Sequence, residues 1–410
     1  MKTTAVAAVT ALLSLVIGTI WVFADAPMFV QYFYSARMVA LTHTFTLGWV
    51  SLMIVGVLRQ VGPVAFGLQL KRPSLIGGAL AVWIAGLIMM IFGFATPVYT
   101  VAAIGTVLLL ISVLTVVCVF LAGFRGVRRQ MPHDHLLASL LYFAAAAVLG
   151  AWLGLAKGFD VALPAAFQAV LFAHIHLAGA GWAGMIVVAV MSRLFPQPHL
   201  RRPRQAWLRF SAFHIGLIGL VGGLLLNAPW FRLFGSILAL SCIWYAAAFV
   251  PVLREFQQPS DRSTFFLVSS WVCLAIVAAI GLWLSTGIGA SGLVRPQLQF
   301  VYGFIYMFGW LSLMIFGMLY RILPTHLSKW LTARGVPATA GIRDVLINTQ
   351  LQTVTWAFLT AGLFVSTVSI SSRNLITFRI GWLLWMCGVA LFMSGIVRTL
   401  IKVRGIRRRG

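Results

Sequence analysis

His43, His174 and His176 stand inside long apolar runs of this chain. A neutral imidazole offers a metal one lone pair and donates one hydrogen bond from its other nitrogen, and placing it in hydrocarbon without partners is costly. His43 and His176 share a position: each lies five residues before a glycine-tryptophan pair, Gly48-Trp49 and Gly181-Trp182. Phe304 holds that place before a third pair, Gly309-Trp310. His174 and His176 are two residues apart and diverge by about 200° on a regular helix, so both cannot grip one ion without distortion. Two imidazoles from two helices suit a six-coordinate haem, whereas copper needs a third nitrogen or a thioether in reach. The competing reading is that these histidines only hydrogen-bond between helices.

The remaining reactive side chains carry less. His133, His135, His199 and His326 fall in expected loops and read as interfacial residues near helix ends; His214 lies in the seventh apolar run and reads as a hydrogen-bonded helix residue. The acidic residues are Asp25, Asp134, Asp160, Glu255, Asp261 and Asp344, each in a loop or at the end of an apolar run. A cation-coupled transporter usually keeps an ionisable residue at mid-membrane, so this inventory weakens carboxylate-based transport. Cys118, Cys242, Cys273 and Cys387 have no C-x-x-C spacing and read as packing residues.

The elements that must position the histidines follow from composition. Hydrophobic residues make up 61% of the chain and charged residues 9%. The apolar runs predict spans at 4–24, 38–62, 75–95, 98–122, 137–156, 167–192, 208–227, 231–253, 264–286, 298–321, 347–368 and 377–400. Each suffices to cross about 30 Å of hydrocarbon. GWVSLMIVGVL at Gly48 recurs as GWLSLMIFGML at Gly309 and more loosely as GWAGMIVVAVM at Gly181, with Pro63, Pro196 and Pro324 at one common distance beyond. The period of about 130 residues divides a single domain into repeats near 1–130, 131–260 and 261–400, four spans each, with a basic tail at 401–410.

Lysine and arginine concentrate in alternate loops and in that tail, which places both termini in the cytoplasm of a bacterial-type inner membrane. The net charge of +24 is then a topology signal with contact to anionic membrane lipids, and nucleic acid is not an expected partner. The first run also reads as a cleavable secretory signal, and a retained helix is expected because its removal would leave eleven spans in place of three sets of four.

With these residues in view, the chain resembles the catalytic subunit of haem-copper oxidases and their relatives, including nitric oxide reductases and NnrS-like proteins. LTHTFTLGWVSLMIVGVLRQVGP and AHIHLAGAGWAGMIVVAVMSRLFP are similar to the span-two and span-six motifs of divergent oxidase-like members. The resemblance implies an all-α polytopic membrane protein whose 12 helices form a pseudo-threefold 4+4+4 bundle. It implies His43 as ligand of a low-spin haem and His174 or His176 as the span-six metal ligand. The departures are large. Span ten of an oxidase carries three histidines, where this chain has Tyr302, Tyr306 and Met307; the histidine pair of span seven and the tyrosine after the span-six histidine are also missing.

Oxygen or nitric oxide reduction in the family's manner is therefore not expected. The expectation is a membrane-integral haem-binding redox protein that passes electrons between a quinone and a periplasmic redox partner, or senses a diatomic gas. Its cofactor would be haem b, with copper the alternative. The axial ligands would be His43 with a span-six histidine or Met307, and Arg37, Arg295 and Arg373 would meet the haem propionates. The alternatives are a metal-free structural subunit packed against other respiratory subunits, and a 12-helix transporter.

Overall fold

A computed structural model describes residues 2–31, 33–195, 203–255, 261–287, 294–334 and 342–409. The chain is all-α, with no β-strand among the described residues. Among the described residues twelve helices are long and apolar enough to cross a membrane. They are α1 (Thr3–Ala24), α2 (Ala36–Phe66), α3 (Pro73–Ala95), α4 (Tyr99–Ala122), α5 (Met131–Phe159), α6 (Phe167–Leu194), α7 (Arg204–Leu225), α8 (Phe231–Glu255), α9 (Ser263–Thr286), α10 (Pro296–Thr332), α11 (Thr349–Ser372) and α12 (Leu375–Ile406). Several run past the expected spans. α5 begins at Met131, where the Gln130 and His133 side chains form a reciprocal cap, and α10 continues to Thr332. Hydropathy marks the hydrocarbon-soluble part of a helix, whereas capping and backbone hydrogen bonding set where it ends.

The chain forms two compact units. One contains Met1–Gly18, Tyr34–Tyr245 and Gly281–Ala290; the other contains Thr19–Phe33, Ala246–Ile280 and Ser291–Gly410. His43, His174, His176 and Arg37 belong to the first, and Met307, Arg295 and Arg373 to the second.

The sequence repeat is written into the backbone. α2, α6 and α10 each carry an eight-residue π-helical stretch, Thr44–Ser51, Leu177–Gly184 and Ile305–Ser312. Each has its glycine-tryptophan pair at the same place inside it. His43, His176 and Phe304 are the residues immediately before the three stretches. A π-turn widens the i→i+4 ladder to i→i+5 and rotates the first half of the helix relative to the second.

The glycine of each pair lies hard against the preceding helix. A Cβ on Gly48 would sit 2.6 Å from Ser14 Oγ on α1, one on Gly181 2.7 Å from Tyr142 Cβ on α5, and one on Gly309 2.8 Å from Cys273 Sγ on α9. The third and fourth helices of each repeat also meet at a glycine. Gly86 faces Gly105 O across α3 and α4, Gly216 faces Leu238 N across α7 and α8, and Gly362 faces Trp385 N across α11 and α12. Small residues let helix backbones approach where lipid supplies no hydrophobic drive between helices. Pro63 and Pro324 lie within α2 and α10; Pro196 lies outside the described residues.

Candidate functional site

His43 is the eighth residue of α2, and His174 the eighth of α6. Their rings lie side by side, with centroids 6.3 Å apart and planes 27° apart. Each is held by its Nδ1. His43 Nδ1 donates to Val39 O at 2.8 Å, one turn back on its own helix, and His174 Nδ1 donates across to Ala146 O on α5 at 2.9 Å. A carbonyl can only accept, so the proton of each neutral ring is on Nδ1 and Nε2 carries the lone pair. Among the described residues no hydrogen bond reaches Nε2 of either ring.

The crossing from α6 to α5 depends on Gly150. On a helix the side chain of residue i+4 lies over the carbonyl of residue i, so a residue of any size at 150 would cover Ala146 O. A Cβ there would come within 2.8 Å of His174 Cε1 and 3.2 Å of Nδ1. Glycine leaves the notch that the imidazole fills.

His176 faces a different carbonyl, donating from Nδ1 to Phe172 O at 2.8 Å. The repeat alignment pairs His43 with His176, yet the ring beside His43 is that of His174. The sequence left the choice between the two open, and the α5 notch decides it.

The other expected site residues fall as follows. Arg37 is exposed in the first turn of α2, six residues before His43. Met307 lies half-buried within the π-helical stretch of α10, and Arg373 is exposed, closing α11 with a left-handed backbone at φ 54°. The side chain of Arg295 lies outside the described residues, as does His199. Among the described residues no three His, Cys, Asp or Glu side chains converge on one point.

Of the histidines expected in loops, His133, His135 and His326 are on helices instead. His133 and His135 are buried in the first turns of α5. His133 Nε2 donates to Phe66 O at 3.1 Å, and His135 Nδ1 donates to Met131 O at 2.7 Å. His326 is within α10. His214 is bonded through Nδ1 to Tyr142 Oη at 2.6 Å, with its Nε2 buried and unpartnered.

Sequence reasoning missed one group here. Arg209 of α7 is 4% exposed, although it is a cation inside a span. The available signal was a lone arginine amid the apolar run that begins at 208.

The spacing of the His43 and His174 rings matches what two imidazoles on one ion would need. Two metal–nitrogen bonds of about 2.0–2.1 Å through one ion separate the ring centroids by about 6 Å. Both rings are oriented by hydrogen bonds from Nδ1 to a backbone carbonyl, which is also how proteins fix the tautomer of metal-binding histidines. No protein-family model matches the chain, and no curated protein matches it.

Proposed function

We propose that this chain is a membrane-integral haem-binding electron-transfer protein, in which His43 and His174 would hold the haem iron. The observation that carries this reading is the near-parallel pair of imidazoles, 6.3 Å apart, each with its proton committed to a backbone carbonyl and its Nε2 without a hydrogen bond. Two imidazoles, with no cluster of three His, Cys, Asp or Glu among the described residues, would suit haem iron better than copper.

The scaffold is read as a divergent relative of the haem-copper oxidase catalytic subunit, its three four-helix repeats set about a pseudo-threefold axis. The shared π-helical stretches and the recurring glycine contacts support that arrangement. The basic loops support placement in a bacterial-type cytoplasmic membrane with both termini inside.

A bound haem b would supply one-electron redox chemistry. The chain's part is to hold and tune it. Val39 O and Ala146 O fix both ring orientations and raise the basicity of each Nε2. Arg37, at the entry of α2, offers a cation for a propionate. Electrons would pass between a quinone and a periplasmic redox partner.

The test is visible absorption of the purified protein, oxidised and reduced. Haem b bands are expected, lost in His43→Ala and His174→Ala and retained in His176→Ala. Protein that purifies without haem, or that keeps it when His43 and His174 are both replaced, sinks the assignment and leaves a metal-free structural subunit.

A further inference from the structure

We propose that Arg209 forms the floor of a binding site for a phosphate oxyanion, carried by an anionic phospholipid headgroup or by free phosphate. Arg209 as a whole is 4% exposed, its Nε is buried with no hydrogen-bond partner, and among the described residues no carboxylate pairs with it. A buried arginine inside a transmembrane helix normally has a counter-charge or a polar cavity to offset its desolvation. Here the neighbours are two ring faces of α8. The guanidinium carbon lies 5.7 Å from the Trp244 centroid and 5.8 Å from that of Tyr245.

Cation–π contact offsets only part of the cost of taking a guanidinium out of water. It also leaves the planar fork of N–H donors unspent, and that fork matches two oxygens of a phosphate.

The surroundings are built rather than incidental. His135 Nδ1 donates to Met131 O, so its Nε2 accepts, and the Tyr245 hydroxyl donates to it at 2.9 Å. That bond anchors the Tyr245 ring under the guanidinium. On the outer side, Trp207 and Leu208 of α7 and Leu240 and Trp244 of α8 are exposed. Exposed tryptophans on spanning helices belong at the headgroup level of a bilayer, and basic pockets between helices at that level hold phosphate headgroups. Arg204, exposed one turn earlier on α7, adds positive potential at the same end.

The test uses the full chain, purified in a neutral detergent without phosphate and titrated separately with phosphatidylglycerol and with inorganic phosphate, following the melting midpoint and native mass spectra. A saturable rise in midpoint with at least one of them is expected. Arg209→Gln is expected to weaken it about tenfold or more. Arg404→Gln, an exposed arginine of α12, is expected to leave it unchanged. A response to phosphatidylglycerol alone identifies the lipid as the source; a response to both identifies the free anion as sufficient. Should Arg209→Gln not yield folded protein, Arg209→Lys carries the test, with affinity expected to fall several-fold because an ammonium cannot form the two-pronged contact. Binding of neither ligand, or equal binding by parent and variant, overturns the proposal.

Discussion

Gly150 and His174 occupy one space: a Cβ at position 150 would lie 2.8 Å from His174 Cε1. The absence of a side chain on α5 therefore sets the orientation of an imidazole on α6, which in turn lies beside His43 on α2. Three helices are coupled through one missing methyl group.

Gly150→Ala is expected to push the His174 ring off Ala146 O and to weaken any haem held by the pair. Alanine adds up to about 1 kcal/mol of helix propensity, while overpacking costs about 1–3 kcal/mol. A net loss of stability in heat or denaturant unfolding, together with diminished haem absorption, is the expected result. A gain in stability with an unchanged spectrum contradicts the coupling.

The glycines of the repeated pairs are expected to behave unlike a helical glycine with open space around it. Gly181→Ala would bring a methyl group 2.7 Å from Tyr142 Cβ and is expected to cost about 1–3 kcal/mol. Gly78→Ala, on α3 with open space around it, is expected to be neutral or stabilising by up to about 1 kcal/mol. Unfolding midpoints of the two variants, measured in the same detergent, compare the positions directly.

Trp182 Nε1 donates to Ser51 Oγ at 3.1 Å, which joins the glycine-tryptophan stretch of the second repeat to that of the first. Both residues are buried. A double-mutant cycle of Trp182→Phe and Ser51→Ala is expected to return a coupling of about 0.5–1.5 kcal/mol. A coupling indistinguishable from zero would mean that the two stretches are held by packing alone.

Asp261 and Arg343 form an ion pair at 2.7 Å, with the aspartate 1% exposed and also accepting from Ser263 N at 2.9 Å. Arg343→Met would take the hydrogen-bonded cation from a buried carboxylate, leaving only the charge of Arg321 nearby, and is expected to cost about 1–3 kcal/mol. Replacing both residues, Asp261→Asn with Arg343→Met, is expected to recover part of that loss. Chemical denaturation of the single and double variants measures the difference.

Much of the fold could be read from residues alone. All twelve helices fall where apolar runs of about twenty residues predict them, because partition into hydrocarbon depends on composition over a short window and hardly on the rest of the chain. The three-copy repeat was equally plain, since Gly48, Gly181 and Gly309 recur in near-identical surroundings. The π-helical form of those stretches was not legible. Nothing in a glycine-tryptophan pair distinguishes an i→i+5 ladder from an i→i+4 one.

The site was legible as a set of residue types but not as a set of contacts. Sequence singled out His43, His174 and His176 as imidazoles in apolar runs, and it showed that the latter two point apart. Which of them lies beside His43, which carbonyl orients it, and that Arg209 rests buried on Trp244 and Tyr245 were decided only in the tertiary structure. The physical reason is that hydropathy and helix period act within one helix, whereas a contact between helices depends on their relative rotation and depth. Here that rotation is reset by each π-helical turn and locked by glycines such as Gly150 and Gly181, whose partners lie on a neighbouring helix rather than nearby in sequence.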